Sequence, residues 1–483
     1  MLNKKNFLLW SYALLVVLMV FTFFINKGMF SAFLLLIILL YSTFFVLKKY
    51  NILTKNLKTI LLISFILHFI LVILIYNFDI RPFGGGADYE GYQKIAQQTS
   101  ENFRMGNFSL DGAHYGHDFT VVIAVIYYIF GSDPLVGRFL LVWFFIMAVL
   151  FAYMVIREIG GSEKKAFLIG LFLNFYPSYA YFGSILLKDT IVIPLLLFGV
   201  FLIIKLVRRF SLMNFIIFFF ITMAVSHLRF YVGYALILTF IITWFVYCLP
   251  NYKRKIFLGL ILTLLIGYSP FAIGQGYFGL NSFTEFLNQE KITQYREISY
   301  NPNAKVQELD NPNAIAQEAD NFDAEYGTQI IVNEKQVNGT GSSFVVKTGL
   351  NQGILSFTVN SMKSFIYAAV GPFPWQLKNK RQMVSLMETV PWYLLLIVFV
   401  YSLTKFIKRE KLSGLAKFLK DTAPLWSFAI LALGALSLFI NNYGIISRIR
   451  IPMFICLIIA MSLLIKEENL PNFLKIKLNN KKV

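Results

Sequence analysis

Charge and cysteine are both scarce in this chain. Only 14% of its 483 residues are Asp, Glu, Lys or Arg, against roughly 25% in an ordinary soluble domain. A soluble fold of this length could not hide the 57% of residues that are hydrophobic. The two cysteines, Cys248 and Cys456, fall within or at the ends of apolar runs, which excludes a disulfide framework or a cysteine-based metal cluster as the organising element. Ionisable residues are also rare inside those runs, with His68 the exception.

What the chain has in abundance is long uncharged stretches, such as FSAFLLLIILLYSTFFVL and TILLISFILHFILVILIY. Each is close to the ~20 residues that cross a bilayer core as a helix. The pattern predicts an all-α, polytopic integral membrane protein of about twelve transmembrane helices. The spans are placed at 7–25, 30–47, 59–77, 138–156, 166–184, 190–206, 212–227, 231–249, 256–272, 391–406, 422–440 and 450–465. The first run follows Met-Leu-Asn-Lys-Lys without a small-residue cleavage site, and another span follows at once, so it reads as a retained helix.

The formal net charge of +19 would point to nucleic acid in a soluble protein, but its distribution gives orientation instead. With the N-terminus inside, the cytoplasmic segments hold 26 of the 44 Lys and Arg and 6 of the 25 Asp and Glu. That is the asymmetry of the positive-inside rule, with both termini cytoplasmic in the cell membrane. It argues against a nucleic-acid role and makes membrane lipids the constant partner. The apolar run Phe119 to Phe130 is too short to span and is laid flat or re-entrant on the outer face, because counting it as a span would put the basic 157–165 loop outside.

Four regions follow: two N-terminal transmembrane helices (1–58), a transmembrane core (59–273) that includes a first outer loop (78–137), a large outer segment (274–390) and the C-terminal helices with a cytoplasmic tail (391–483). The large segment carries NPNAKVQELD followed by NPNAIAQEAD, an Asn/Pro-rich repeat with the composition of surface turns. The first loop contains Arg81-Pro-Phe-Gly-Gly-Gly-Ala-Asp88-Tyr-Glu90-Gly-Tyr92-Gln-Lys-Ile-Ala96. Its glycines permit a tight turn, and the run from Asp88 reads as the start of a helix at the membrane surface. Asp88 there is either a helix N-cap or a general base or metal ligand. Lys188, Arg229, Arg448 and Arg450 stand at outer ends of predicted spans, where they either snorkel to headgroups or hold a phosphate. Asp189 either pairs with Lys188 or orients it, and His227 sits beside Arg229. Trp375, in Gly371-Pro-Phe-Pro-Trp375-Gln376, is either an interface anchor or a stacking surface for a sugar ring.

The order of these features resembles the bacterial members of the polytopic C-type (GT-C) glycosyltransferases. The resemblance covers most of the chain. It rests on Asp88, Tyr92 and Ala96 in the first outer loop, then Ile129-Phe-Gly131-Ser132 with Arg138 opening a span and Arg157-Glu-Ile-Gly-Gly closing it. Tyr176-Pro177-Ser178 leading to Lys188-Asp189, and Asn442-Tyr-Gly444-Ile-Ile-Ser-Arg448-Ile-Arg450-Ile-Pro452, complete it. The resemblance implies transfer of a sugar from a polyprenyl-phosphate-linked donor to a lipid or glycan acceptor, in cell-envelope or surface-polysaccharide synthesis. It makes Asp88 the acceptor-activating carboxylate, with Glu90 secondary. Substrate contacts fall to Tyr92, Lys188, Asp189, His227, Arg229, Trp375, Arg448 and Arg450. A divalent cation is the one cofactor it admits. Tyr89 separates Asp88 from Glu90 where many members have adjacent acids, and in a helix those two side chains do not share a face. The alternatives are a polysaccharide polymerase, a lipid-linked-sugar transporter or flippase, and an assembly subunit whose polar 290–340 segment docks partners. Transporters tend to show internal repeats and mid-span ionisable groups, which favours the enzyme here.

Overall fold

A computed structural model describes residues 27–83, 86–110, 113, 118–248, 257–264, 354–376, 383–384, 386–439 and 443–465. The predicted span at 7–25, most of that at 256–272, the NPNA repeat and the tail lie outside the described residues. Among the described residues the protein is all-helical, with no strand. Five helices among the described residues are long and apolar enough to cross a membrane, and five more apolar helices there are shorter. The chain divides into two compact units.

The first unit comprises residues up to Arg81, Gly85–Met147 and Ala180–Ile191. Its described helices are α1 (Lys27–Lys49), α2 (Lys55–Phe78), α3 (Gly86–Arg104), α4 (Phe119–Phe130) and the first part of α5 (Pro134–Glu158). Thr54 starts α2 by accepting the Leu57 N–H at 3.2 Å, which satisfies a first-turn donor that has no partner within the helix. Phe33, Phe69 and Phe139 join α1, α2 and α5, with ring centroids 5.5 and 5.3 Å apart. The Trp143 indole donates to Thr43 Oγ1 at 2.9 Å across α5 and α1. Ile66, Ile70 and Leu74 stay exposed along α2, an arrangement unfavourable in water and natural against lipid.

The twelve-residue α4 has the extent expected of the surface segment, and it packs on α3. Tyr92 meets Phe119 edge-on at 5.2 Å, and Arg104 donates to the Tyr127 carbonyl at 2.8 Å. Gln97 donates to the Ser132 carbonyl at 2.7 Å, tying α3 to the turn that enters α5. At that turn Gly131 has φ +102°, a conformation side-chain-bearing residues rarely adopt. Gly137 serves a different purpose: a Cβ there would lie 2.8 Å from the Tyr127 hydroxyl and 2.9 Å from Leu186 Cδ1. Gly137→Ala is therefore expected to destabilise the fold by about 1–3 kcal/mol through overpacking. Thermal unfolding in detergent would show it as a lowered Tm; an unchanged Tm would mean the neighbours yield freely.

The second unit comprises Pro82–Gly84, Ala148–Tyr179 and the chain from Val192 onward. It contains the end of α5, α6 (Glu163–Phe175), the start of α7 (Pro177–Phe182), most of α8 (Asp189–Arg208), α9 (Leu212–Leu228), α10 (Phe230–Cys248), α11 (Ile354–Val370), α12 (Leu386–Asp421), α13 (Ala423–Phe439), α14 (Tyr443–Ile449) and α15 (Ile451–Leu464). Helix α15 is buried along nearly its whole length and packs on α6, α12 and α13. Trp392 stacks on Phe454 at 4.2 Å, and Lys165 donates to the Leu463 carbonyl at 3.1 Å.

The expected span at 166–184 is not one helix. Helix α6 stops at Phe175, and α7 begins at Pro177. Proline cannot continue the backbone ladder, and it pushes Tyr176 into an extended conformation, φ −71°, ψ 110°. Helix α12 runs on past its expected end at 406 to Asp421, with a break at Lys411, whose φ is +58°.

Candidate functional site

The residues singled out from the sequence fall into both units. In the first unit, helix α3 positions Asp88 in its first turn and buries the side chain to 8% exposure. Negative charge is favoured there by the helix dipole. Tyr92, one turn further on, is buried against Phe119. Glu90 points elsewhere, as adjacent helical positions must: it is exposed and ion-paired to Arg81 at 3.0 Å. Arg81 also holds Asp79 at 2.7 Å, and that hydrogen bond, above all else, raises the guanidinium above its ordinary pKa. Both ion pairs are too exposed to stabilise by more than about 1 kcal/mol.

Tyr89, between the two acids, is buried, with its ring under the guanidinium of Arg81 at 5.5 Å and that of Arg138 at 5.6 Å. Burial pushes its phenol up from the usual value, with the Arg81 charge opposing, so the ring stays neutral. Lys188 is buried in the loop before α8, and Asp189 opens that helix as expected.

The second unit holds His227, Arg229, Trp375, Arg448 and Arg450. Arg229 is buried at the joint where α9 ends and α10 begins, with His227 in the last turn of α9. Arg448 and Arg450 straddle the joint of α14 and α15, and both are buried. They do not share a task. The Arg450 Nη1 donates to the carbonyls of Ala368, at 3.3 Å, and Gly371, and its guanidinium lies over Phe454 at 4.6 Å. It closes the C-terminal end of α11, where carbonyls lack helical partners and the dipole favours a cation. Beyond that end Trp375 is 78% exposed and stacks on Phe373, the ring planes 7° apart and 4.7 Å between centroids.

Sequence reasoning missed Glu388. It is 2% exposed in the first turn of α12, where one carboxylate oxygen accepts the Ser178 N–H at 2.5 Å. It lies within electrostatic reach of Arg450 and of Tyr176. An acid separated by only Thr389 from the apolar run VPWYLLLIVFV was the available signal. Among the described residues no three His, Cys, Asp or Glu side chains are grouped as a metal site needs.

These features define a helical membrane protein with buried carboxylates and cations at the ends of its helices. Set against known proteins, the chain matches no family model, no curated protein and no solved structure.

Proposed function

We propose that the protein is a membrane glycosyltransferase. It moves a sugar from a polyprenyl-phosphate-linked donor to a lipid or glycan acceptor on the outer face, in cell-envelope or surface-polysaccharide synthesis. The observation that carries this reading is Asp88, a buried carboxylate at the start of a surface helix, in the same compact unit as the buried cations Lys188 and Arg138. The acceptor oxygen attacks the anomeric carbon, and its proton passes to Asp88. The bond to the phosphate oxygen breaks, and the electron pair leaves with polyprenyl phosphate. Such a reaction needs a base for the hydroxyl and fixed positive charge for the departing phosphate. Low local dielectric strengthens both. Arg229 and Arg448 are buried within the second unit, where the hydrogen bonds of Arg450 give it an anchoring part.

The test is donor class. Purified full-length protein in lipid vesicles, given radiolabelled polyprenyl-phosphate hexoses or pentoses, is expected to release polyprenyl phosphate and to leave nucleotide sugars untouched. Consumption of a nucleotide sugar would contradict the proposal. Intact donor reappearing in the opposite leaflet would replace it with a flippase.

A further inference from the structure

Arg138, in the second turn of α5, is 7% exposed. Two of its nitrogens, Nε and Nη1, are buried without a hydrogen-bond partner among the described residues. A buried guanidinium normally faces a carboxylate or carbonyls, since desolvating an unpaired charge costs several kcal/mol. Here its neighbours are phenol rings. Tyr76 lies 5.3 Å from the guanidinium carbon and Tyr89 5.6 Å. Tyr127 and Tyr181 are also within its electrostatic reach. The Tyr127 hydroxyl is a second buried group with no partner among the described residues. It is fixed close to Arg138 in the chain, 2.8 Å from where a Cβ on Gly137 would stand. Aromatic faces hold a guanidinium flat without using its N–H edges, so the in-plane donors stay available.

We infer that Arg138, with the Tyr127 hydroxyl, forms an oxyanion site that takes the phosphate of a lipid monophosphate. Guanidinium N–H donors plus a phenol O–H match phosphate oxygens. The wall residue Tyr89 is the immediate neighbour of Asp88, so the site lies on the same segment as the carboxylate proposed to act on the acceptor. The identity of the ligand as polyprenyl phosphate rests on the proposed glycosyltransferase reading; the anion site does not.

The experiment measures binding rather than turnover. Full-length protein in nanodiscs of neutral phosphatidylcholine is titrated with polyprenyl monophosphate, with uncharged polyprenol and with phosphatidic acid. The native chain is expected to bind the monophosphate at least about tenfold more tightly than the polyprenol. Arg138→Met is expected to lose that difference, and Tyr127→Phe, which keeps the ring, to lose part of it. Arg138→Lys keeps a charge and removes the guanidinium donors, so it guards against a methionine variant that does not fold and is expected to fall between. Equal binding by native, Arg138→Lys and Tyr127→Phe proteins would overturn the site. Phosphatidic acid binding as well as polyprenyl phosphate would make it a general phosphate-headgroup site, retaining the anion chemistry and removing the assignment to the donor. Absence of sugar transfer together with Arg138-dependent phosphate binding would defeat the glycosyltransferase reading alone.

Discussion

Replacing Asp88 with Asn is expected to lower sugar transfer by about 10²–10⁴-fold while leaving the protein folded. Asn keeps the size and the hydrogen-bond acceptor of the side chain but cannot take a proton at neutral pH. Asp88 stands within the first turn of α3 rather than at its N-cap, so a purely structural role through the helix dipole would cost at most about 1 kcal/mol on change to Asn. The loss should lie in kcat, since the acceptor proton is in motion only in the transition state. Glu90→Gln is the control: its carboxylate is exposed and engaged by Arg81, and rates within a few-fold of native are expected. Full activity in Asp88→Asn would leave Asp88 as a first-turn charge on the helix dipole and require another base. An equal loss in Glu90→Gln would show that the two acids act together despite facing apart.

The second large effect concerns stability. Arg450→Met is expected to destabilise by about 3 kcal/mol or more. It removes the donors for the carbonyls of Ala368 and Gly371 and strips the buried Glu388 of the positive charge within its reach. Leaving buried acceptors and a buried charge uncompensated costs more than the original interactions contribute. The hydrocarbon of Met retains much of the contact with Phe454, so the loss isolates the polar component. Combining Glu388→Gln with Arg450→Met should recover part of the loss, because neutralising the carboxylate removes the stranded charge, and coupled sites are not additive. Thermal unfolding of the four proteins in one detergent checks this. A Tm for Arg450→Met equal to native would show that the end of α11 does not depend on the latch.

The helices were legible from hydrophobic run length because a bilayer demands about 20 apolar residues per crossing. Expected and observed ends agree within a few residues for α1, α2, α5, α8, α9, α10, α13 and α15. The twelve-residue α4 also followed from length alone. The break before Pro177 was written in the sequence, but the unbroken hydropathy around it outweighed a single residue. Asp88 was legible because helix-start residues carry local signals. Glu388 and Arg138 were not, since each draws its meaning from partners far along the chain: Ser178 for the first, and the rings of Tyr76 and Tyr89 for the second. Arg448 and Arg450 stand two apart, a spacing that already sends helical side chains in different directions, and the carbonyls that Arg450 reaches show that it is the one that anchors.

The most direct test of the account confines the donor to one face. Full-length protein is reconstituted in sealed vesicles, its orientation is measured by protease access to the basic tail, and a water-soluble short-chain prenyl-phosphate sugar is added outside. Release of prenyl phosphate in proportion to the chains whose outer face meets the bulk solution, and its loss in Asp88→Asn, is the predicted result. Release in proportion to the opposite orientation, or none from any donor in folded native protein, would contradict it.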